Sequence, residues 1–130
     1  MGKPITGSER GYDRSPEVYV CLKAIVNNAS GSVPFIVFGP PGTGKTVTLV
    51  EAIRQVYELN PDAHILACAP SNSAADLLAI RLAKYVPRED LMRMIAQSRA
   101  YKDVPDSIAQ FSNMTPGGYR LEMVEILILI

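Results

Sequence analysis

The chain has 130 residues, and its 13 basic and 13 acidic residues give a formal net charge of zero. This length suits one ordinary domain, and the neutral balance excludes the overall basic field that marks many nucleic-acid and membrane-surface proteins. No apolar run approaches the roughly 18 residues of a membrane-spanning helix and no signal peptide is visible, so we expect a cytosolic or nuclear protein without a membrane partner.

The first predicted element is a helix that follows a flexible lead-in. Residues 1–14 mix glycines, a proline and charges, which favours a flexible or non-native extension. Ser15-Pro16-Glu17 then provides a capping serine, a proline at the first helical position and an acid in the first turn. Apolar residues continue at helical spacing as far as Val26, where a loop is predicted.

The next stretch contains the strongest motif of the sequence. Gly39-Pro40-Pro41-Gly42-Thr43-Gly44-Lys45-Thr46 fits the Gly-x-x-x-x-Gly-Lys-Thr pattern of a phosphate-binding loop. Residues 35–38 are wholly apolar and predict a strand buried on both faces, whereas the spacing from residue 46 to about residue 59 predicts a helix. Strand, loop and helix are the context that the motif requires.

The residue types of this loop fit a polyphosphate ligand. The glycines let the backbone turn with its N–H groups inward, and the helix adds unpaired N–H groups and its dipole. Lys45 would reach the β and γ phosphates, and the Thr46 hydroxyl would hold Mg²⁺. The alternative is a glycine-rich turn whose lysine faces solvent, but the flanking elements favour nucleotide binding. The predicted nucleotide-binding residues are Gly39, Pro40, Pro41, Gly42, Thr43, Gly44, Lys45, Thr46 and Val47.

A second strand and helix follow the first pair. Residues 64–69 predict a buried strand that ends at Pro70, and residues 74–86 predict a helix that Pro87 closes. Repeated strand and helix units are typical of an open parallel sheet, which binds ligands at the carboxyl ends of its strands. We therefore predict an α/β phosphate-loop domain with a parallel sheet flanked by helices. Cys21 and Cys68 lack metal-site spacing and are expected to be buried thiols.

The pattern is weaker after Pro87. Residues 91–96 suit a helical turn or a short strand, residues 99–116 predict a loop, and the apolar tail 124–130 predicts a buried parallel strand. Only three or four strands are therefore available, so residues 15–130 look like the N-terminal part of a larger domain that is incomplete at its C-terminus.

The second half of the chain has a local excess of basic residues, which comprises Arg81, Lys84, Arg88, Arg93, Arg99 and Lys102. We interpret it as a solvated helix face in preference to a nucleic-acid groove.

The turn after the second strand is the other candidate site. Ser73 and Asp76 form a Ser-x-x-Asp capping arrangement, which leaves Pro70, Ser71 and Asn72 unexplained. Small polar side chains and free backbone N–H groups at a strand end suit contacts to a sugar-phosphate backbone. We therefore predict that Pro70, Ser71 and Asn72 contact the sugar-phosphate backbone of a nucleic acid.

Together, the phosphate loop and the Ala-Pro-Ser-Asn-Ser-Ala-Ala-Asp sequence resemble the first RecA-like domain of Upf-like superfamily-one RNA helicases. The flanking residues look closest to the Armitage and Mov branch, and the resemblance covers about residues 15–110. It implies ATP and Mg²⁺ at the phosphate loop and single-stranded RNA at Ser71 and Asn72. It also implies a full-length protein that couples ATP hydrolysis to translocation on RNA, in RNA silencing and in cytoplasmic RNA granules.

Two departures from this family concern activity. The family reads adenine with a glutamine in a Pro-Glu-Gln run, but here Pro16-Glu17 is followed by Val18. Family members also hydrolyse ATP with an acidic pair after a later strand and with arginines of a second RecA-like domain. No apolar run here is followed by Asp-Glu. We therefore expect no catalytic residue in this chain, and a dependence on a missing C-terminal half and second domain.

Two other functions are compatible with the phosphate loop. A non-catalytic nucleotide-binding module would bind nucleotide without hydrolysing it, even when RNA is present. A small phosphate-loop kinase would need an acceptor site and an arginine-bearing lid. The Pro-Ser-Asn turn argues against a kinase.

Overall fold

The computed structural model describes residues 16–119 and 126–129. The chain divides into two compact units, Met1–Pro61 and Asp62–Ile130. The predicted lead-in and the capping role of Ser15 lie outside the described residues. Within the described ranges, no helix has the length and apolar character needed to cross a membrane.

The first unit contains two helices that contact each other. Helix α1 spans Pro16–Val26 and helix α2 spans Lys45–Leu59, which confirms both predicted helices. Leu22 of α1 and Ala52 of α2 are buried at 1% and 2% exposure. Asn60 ends α2, since its backbone N–H and its side-chain amide both donate to the carbonyl of Val56, at 3.0 and 3.2 Å.

The apolar run at residues 35–38 is not a strand, so this prediction is wrong. Residues 34–40 have no regular secondary structure, and the side chains of Ile36 and Phe38 are 82% and 94% exposed. A strand buried on both faces needs neighbouring strands to pair with its backbone and to cover its side chains. The described part of this unit supplies only helices.

The second unit is built on three parallel strands. β1 (Ile65–Cys68), β2 (Leu91–Arg93) and β5 (Ile126–Leu129) form a sheet in the order β1-β5-β2. The tail therefore contains the predicted strand at residues 126–129, and its Ile126 and Ile128 are fully buried. A separate antiparallel pair consists of β3 (Met114–Thr115) and β4 (Gly118–Tyr119).

Strand β1 is less buried than predicted, because one of its two faces is exposed. Successive side chains of a strand alternate between faces, and on one face of β1 both Leu66 and Cys68 are exposed. Only Ala67 is buried in this strand. The expectation of a buried thiol is wrong for Cys68, whereas Cys21 is half-buried.

Helix α3 (Asn72–Leu82) packs on the sheet through residues spaced three and four apart. Ala75, Leu78, Ala79 and Leu82 are buried, and α3 contacts β2 and β5. The helix was predicted at residues 74–86, so it begins and ends earlier in the sequence than predicted.

The predicted loop at residues 99–116 is wrong in part. It contains a 3₁₀ turn at Tyr101–Asp103, helix α4 (Asp106–Ala109) and β3. These elements are too short to show a hydrophobic period.

The true cap of α3 differs from the predicted one. The Ser71 hydroxyl accepts a hydrogen bond from the backbone N–H of Ala74 at 3.2 Å, so Ser71 and not Ser73 caps the helix. Asp76 does not complete a capping box. Its carboxylate instead forms ion pairs with Arg93 and Arg99, which follow later in the chain.

These arginines form an ionic cluster around Asp76 in the interior of the second unit. Arg93 Nε donates to Asp76 Oδ1 at 3.0 Å, and Arg99 Nη2 donates to Oδ2 at 2.9 Å. The Arg93 side chain is fully buried, and burial lowers the pKa of its guanidinium while the bond to Asp76 opposes that change. The interpretation of the local basic excess as a solvated helix face is therefore wrong for Arg93.

We expect Ile128→Ala to destabilise the protein by about 2 to 5 kcal/mol, because it removes fully buried atoms from the middle strand of the sheet. The matched control is Leu66→Ala on β1, whose side chain is 62% exposed and should lose less than about 1 kcal/mol. Urea denaturation measures both values. Equal losses for the two variants would contradict the central position of β5.

We expect Asp76→Asn to cost about 3 kcal/mol, because it leaves two guanidinium groups without their counter-charge and one of them is fully buried. Asp106→Asn is the control, since Asp106 is exposed at the start of α4 and should lose less than about 1 kcal/mol. The free energies of unfolding of both variants give the answer. A loss at position 76 no greater than that at position 106 would refute a structural role for the cluster.

Candidate functional site

The phosphate loop has the backbone conformation that its glycines allow. Gly42 and Gly44 have φ angles of 82° and 83°, in the left-handed region that other residues adopt only at a cost. Gly39 is required for a different reason. A Cβ atom at this position would lie 2.7 Å from Thr43 Oγ1, which is too close for a non-bonded contact. The three glycines of the motif thus have two roles, because Gly42 and Gly44 allow the left-handed turn and Gly39 leaves room for Thr43.

Polar contacts within the loop bring its two ends together. The Thr43 hydroxyl donates to the carbonyl of Pro40 at 2.7 Å. The Lys45 ammonium donates to the carbonyls of Gly39 and Pro40 at 2.5 and 2.8 Å. In the described part of the chain Lys45 has no carboxylate partner, so its charge is balanced only by carbonyl dipoles. A phosphate group would be a stronger acceptor for this ammonium.

The start of helix α2 is prepared for an anion. Gly44 is its N-cap and forms no side-chain capping bond, and the first turn carries no acidic residue. The first N–H groups of the helix therefore keep their hydrogen-bonding capacity, and the helix dipole favours negative charge here. The residues present fit the phosphates of a nucleotide.

The remaining predicted residues of this site are accessible. Pro40, Pro41, Thr43, Thr46 and Val47 are all exposed, so a ligand can reach the loop. The Thr46 hydroxyl is the oxygen that could ligate Mg²⁺ together with phosphate oxygens. Within residues 16–119 and 126–129, no group of three or more His, Cys, Asp or Glu side chains could hold a metal ion by itself.

The predicted nucleic-acid residues lie at the turn between β1 and α3. Pro70 and Ser71 are exposed, and Asn72 is half-buried as the first residue of α3. Ser71 Oγ accepts from the N–H of Ala74, and it forms a hydrogen bond of 3.2 Å with Ser73 Oγ in which either hydroxyl can be the donor. Asn72 Oδ1 accepts from Arg93 Nη2 at 2.9 Å. The turn thus presents hydrogen-bond donors to solvent and has no exposed carboxylate of its own.

Three residues that support this turn were missed by sequence reasoning. The sequence suggests a cap for Asp76 and a basic face for Arg93 and Arg99. In the structure these three side chains form one ionic cluster, and Arg93 also bonds Asn72. The available signal was the spacing of Asn72 and Asp76, which lie four residues apart and thus on one side of a helix. No pattern in the sequence connected that side to Arg93 on β2.

Comparison with known proteins gives a family assignment. The AAA domain family matches residues 21–123. MOV-10 of Gallus gallus is 50% identical over 105 residues, and the RNA helicase Mov10l1 of Homo sapiens is 44% identical over 94 residues. The Drosophila melanogaster protein armi is 38% identical over 90 residues. No solved structure matches the chain significantly.

The matches cover most of this chain and a small part of each relative. They include 81% of the chain for MOV-10, 71% for Mov10l1 and 67% for armi, but only 11%, 8% and 8% of those proteins respectively. The chain therefore spans about a tenth of the length of these curated relatives. It is a P-loop NTPase of mixed helices and strands, and it belongs to the Upf-like superfamily-one RNA helicases, in the branch that contains the Mov and Armitage proteins.

Proposed function

We propose that this chain is the ATP-binding part of an ATP-dependent RNA helicase, and that it also contacts single-stranded RNA. The observation that carries the proposal is the phosphate loop, with Gly42 and Gly44 at positive φ and an ammonium group without a carboxylate partner among the described residues. In the whole protein, ATP hydrolysis would drive translocation along the RNA. Because the chain spans about a tenth of its relatives, that activity needs parts outside it.

Nucleotide binding would use the loop residues without a large rearrangement. The backbone N–H groups around Gly42 and Gly44 and those of the first turn of α2 would surround the phosphates. Lys45 would exchange two carbonyl partners for phosphate oxygens, which are stronger acceptors. The Thr46 hydroxyl would hold Mg²⁺, which supplies charge neutralisation at the phosphates. The loop is thus shaped for binding before a ligand arrives.

RNA binding would use the donors at the start of α3. The first N–H groups of a helix have no intrahelical acceptor, so those of Asn72 and Ser73 are available. The Ser71 hydroxyl and the Asn72 amide add side-chain donors at the same turn. Phosphate and ribose oxygens of a single strand are acceptors that match this set, and such contacts do not read the bases. The relative Mov10l1 is an RNA helicase, which favours RNA over DNA as the ligand.

The finer features of the family extend this proposal. We infer a RecA-like domain in which the parallel strands β1, β5 and β2 are part of a larger sheet flanked by helices. The residues for hydrolysis would come from a C-terminal half and a second RecA-like domain. We also propose a role in RNA silencing, which fits the Mov and Armitage relatives, and a location in the cytoplasm and its RNA granules.

We expect Lys45→Ala to weaken MgATP binding at least tenfold, because it removes the one side-chain cation of the loop. Lys23→Ala, at an exposed position near the end of α1, is the matched control and should leave affinity unchanged. Isothermal titration calorimetry with MgATP measures both. Equal affinities would exclude a phosphate contact by Lys45, and phosphate transfer to a nucleoside monophosphate would indicate a kinase instead.

We expect Asn72→Ala to weaken binding of a fluorescein-labelled U15 RNA about tenfold, because it removes a side-chain amide that donates to the charged backbone. Asn60→Ala is the control, since the Asn60 amide only caps α2. Fluorescence anisotropy at one fixed salt concentration measures the affinities, because backbone contacts depend on salt. Tighter binding to dT15 than to U15 would contradict the preference for RNA.

A further inference from the structure

We propose that Arg93 is a positioning residue, which fixes the Asn72 amide as a donor to single-stranded RNA without contacting the RNA itself. This inference rests on the proposed function of the Pro-Ser-Asn turn. The structural observation is that one guanidinium bonds both Asp76 and Asn72, through Nε at 3.0 Å and Nη2 at 2.9 Å. Arg93 is fully buried, so a ligand cannot reach it directly.

The contact with Arg93 determines which end of the Asn72 amide is free. A guanidinium has only donors, so the atom that faces it must be the oxygen Oδ1. The usual uncertainty between the two ends of an asparagine amide is thereby removed. Nδ2 then lies on the other side of the amide, and it has no hydrogen-bond partner among the residues that the structure describes. Both of its hydrogens can be donated to a phosphate or ribose oxygen.

Arg93 itself is held in several directions. Its Nη1 donates to the backbone carbonyl of Met94, so all three of its nitrogens are engaged. Asp76, its ionic partner, is held on the other side by Arg99, whose Nη1 and Nη2 donate to the two carboxylate oxygens at 3.2 and 2.9 Å. Arg99 Nη2 also donates to the carbonyl of Asp103 at 2.9 Å. The position of Asn72 is therefore set by contacts that extend from α3 to β2 and the following segment.

A fixed amide is useful for a ligand without a fixed conformation. Ordering a side chain on binding costs free energy, and a side chain that is already ordered avoids that cost. Because the Asn72 oxygen is engaged by Arg93, the amide is also prevented from presenting an acceptor to the negatively charged backbone. Arg93 would thus affect the strength of the contact with RNA, and it would determine that Asn72 presents a donor and not an acceptor.

Arg93→Lys separates positioning from charge. Lysine keeps a positive charge beside Asp76, but its single ammonium cannot reproduce the fork that bonds Asp76 and Asn72 together. We expect U15 affinity to fall about fivefold. Arg88→Lys is the matched control, because Arg88 is exposed, donates to the carbonyl of Gln110 and has no connection to Asn72. Its affinity should equal that of the unaltered chain.

The decisive measurement is a double-mutant cycle of Arg93→Lys with Asn72→Ala. If Arg93 acts through Asn72, the double variant binds U15 no more weakly than Asn72→Ala alone. If the two losses multiply, Arg93 acts by another route and the inference is overturned. Arg99→Lys is a second variant for the case in which Arg93→Lys does not fold, since the Arg99 side chain is 13% exposed. It should give a smaller loss, again absent in the Asn72→Ala background.

An NMR measurement separates this inference from the proposed function. The side-chain NH₂ signals of Asn72 should shift and broaden in Arg93→Lys but not in Arg88→Lys, whether or not RNA is present. If the unaltered chain does not bind U15 while these signals change as expected, the proposed RNA function is wrong and the positioning of the amide stands. If the signals do not change in Arg93→Lys, the inference is wrong even when U15 binds.

Discussion

One carboxylate, Asp76, determines the arrangement of the second unit around its candidate nucleic-acid site. It faces a fully buried guanidinium and a second one that is mostly buried. An isolated charge in such a place would be very unfavourable, so the three side chains are stable only together. Their hydrogen bonds connect the first turns of α3 to β2. The position of Asn72 follows from that constraint.

The phosphate loop in the first unit depends on backbone conformation more than on ionic contacts. Gly42 and Gly44 place the chain in a conformation that a side chain would disfavour, and Gly39 leaves room for Thr43. Lys45 lies on the loop carbonyls, where it is held close to the region that a phosphate would occupy. The two candidate sites thus use different physical means to prepare for the proposed ligands, which are the polyphosphate of a nucleotide and the sugar-phosphate backbone of RNA.

These two means also explain how the proposed activity is divided between this chain and the rest of the protein. Binding a phosphate requires donors and positive charge, which short local segments can supply. Hydrolysis requires groups that converge on the attacking water and the leaving phosphate from several elements. The groups for hydrolysis can therefore lie far from the phosphate loop in the sequence, whereas the groups for phosphate binding lie within it. A chain that spans about a tenth of its relatives can therefore retain binding geometry on its own.

Features that depend only on neighbouring residues could be predicted from the sequence. Helices α1 and α2, the phosphate loop and the family were predictable, because helical periodicity, glycine conformation and motif spacing are local properties. The strand in the apolar tail was also predictable, since a continuous apolar run suits a strand with neighbours on both sides. A comparable run at residues 35–38 gave the wrong prediction, because burial requires partners that a local pattern does not supply.

Which polar residues act together depends on the tertiary structure and could not be predicted. From the sequence, Asp76 is predicted to belong to a capping box and Arg93 to a solvated face. In the structure, Arg93 Nε lies 3.0 Å from Asp76 Oδ1. The residue that caps α3 is Ser71, and Cys68 is exposed because it lies on the uncovered face of β1. Pairing between residues 17 positions apart depends on how α3 packs on β2, and no local spacing encodes that packing. The sequence determined the chemistry available at each turn, and the packing of α3 on the sheet decided how Asn72 presents it.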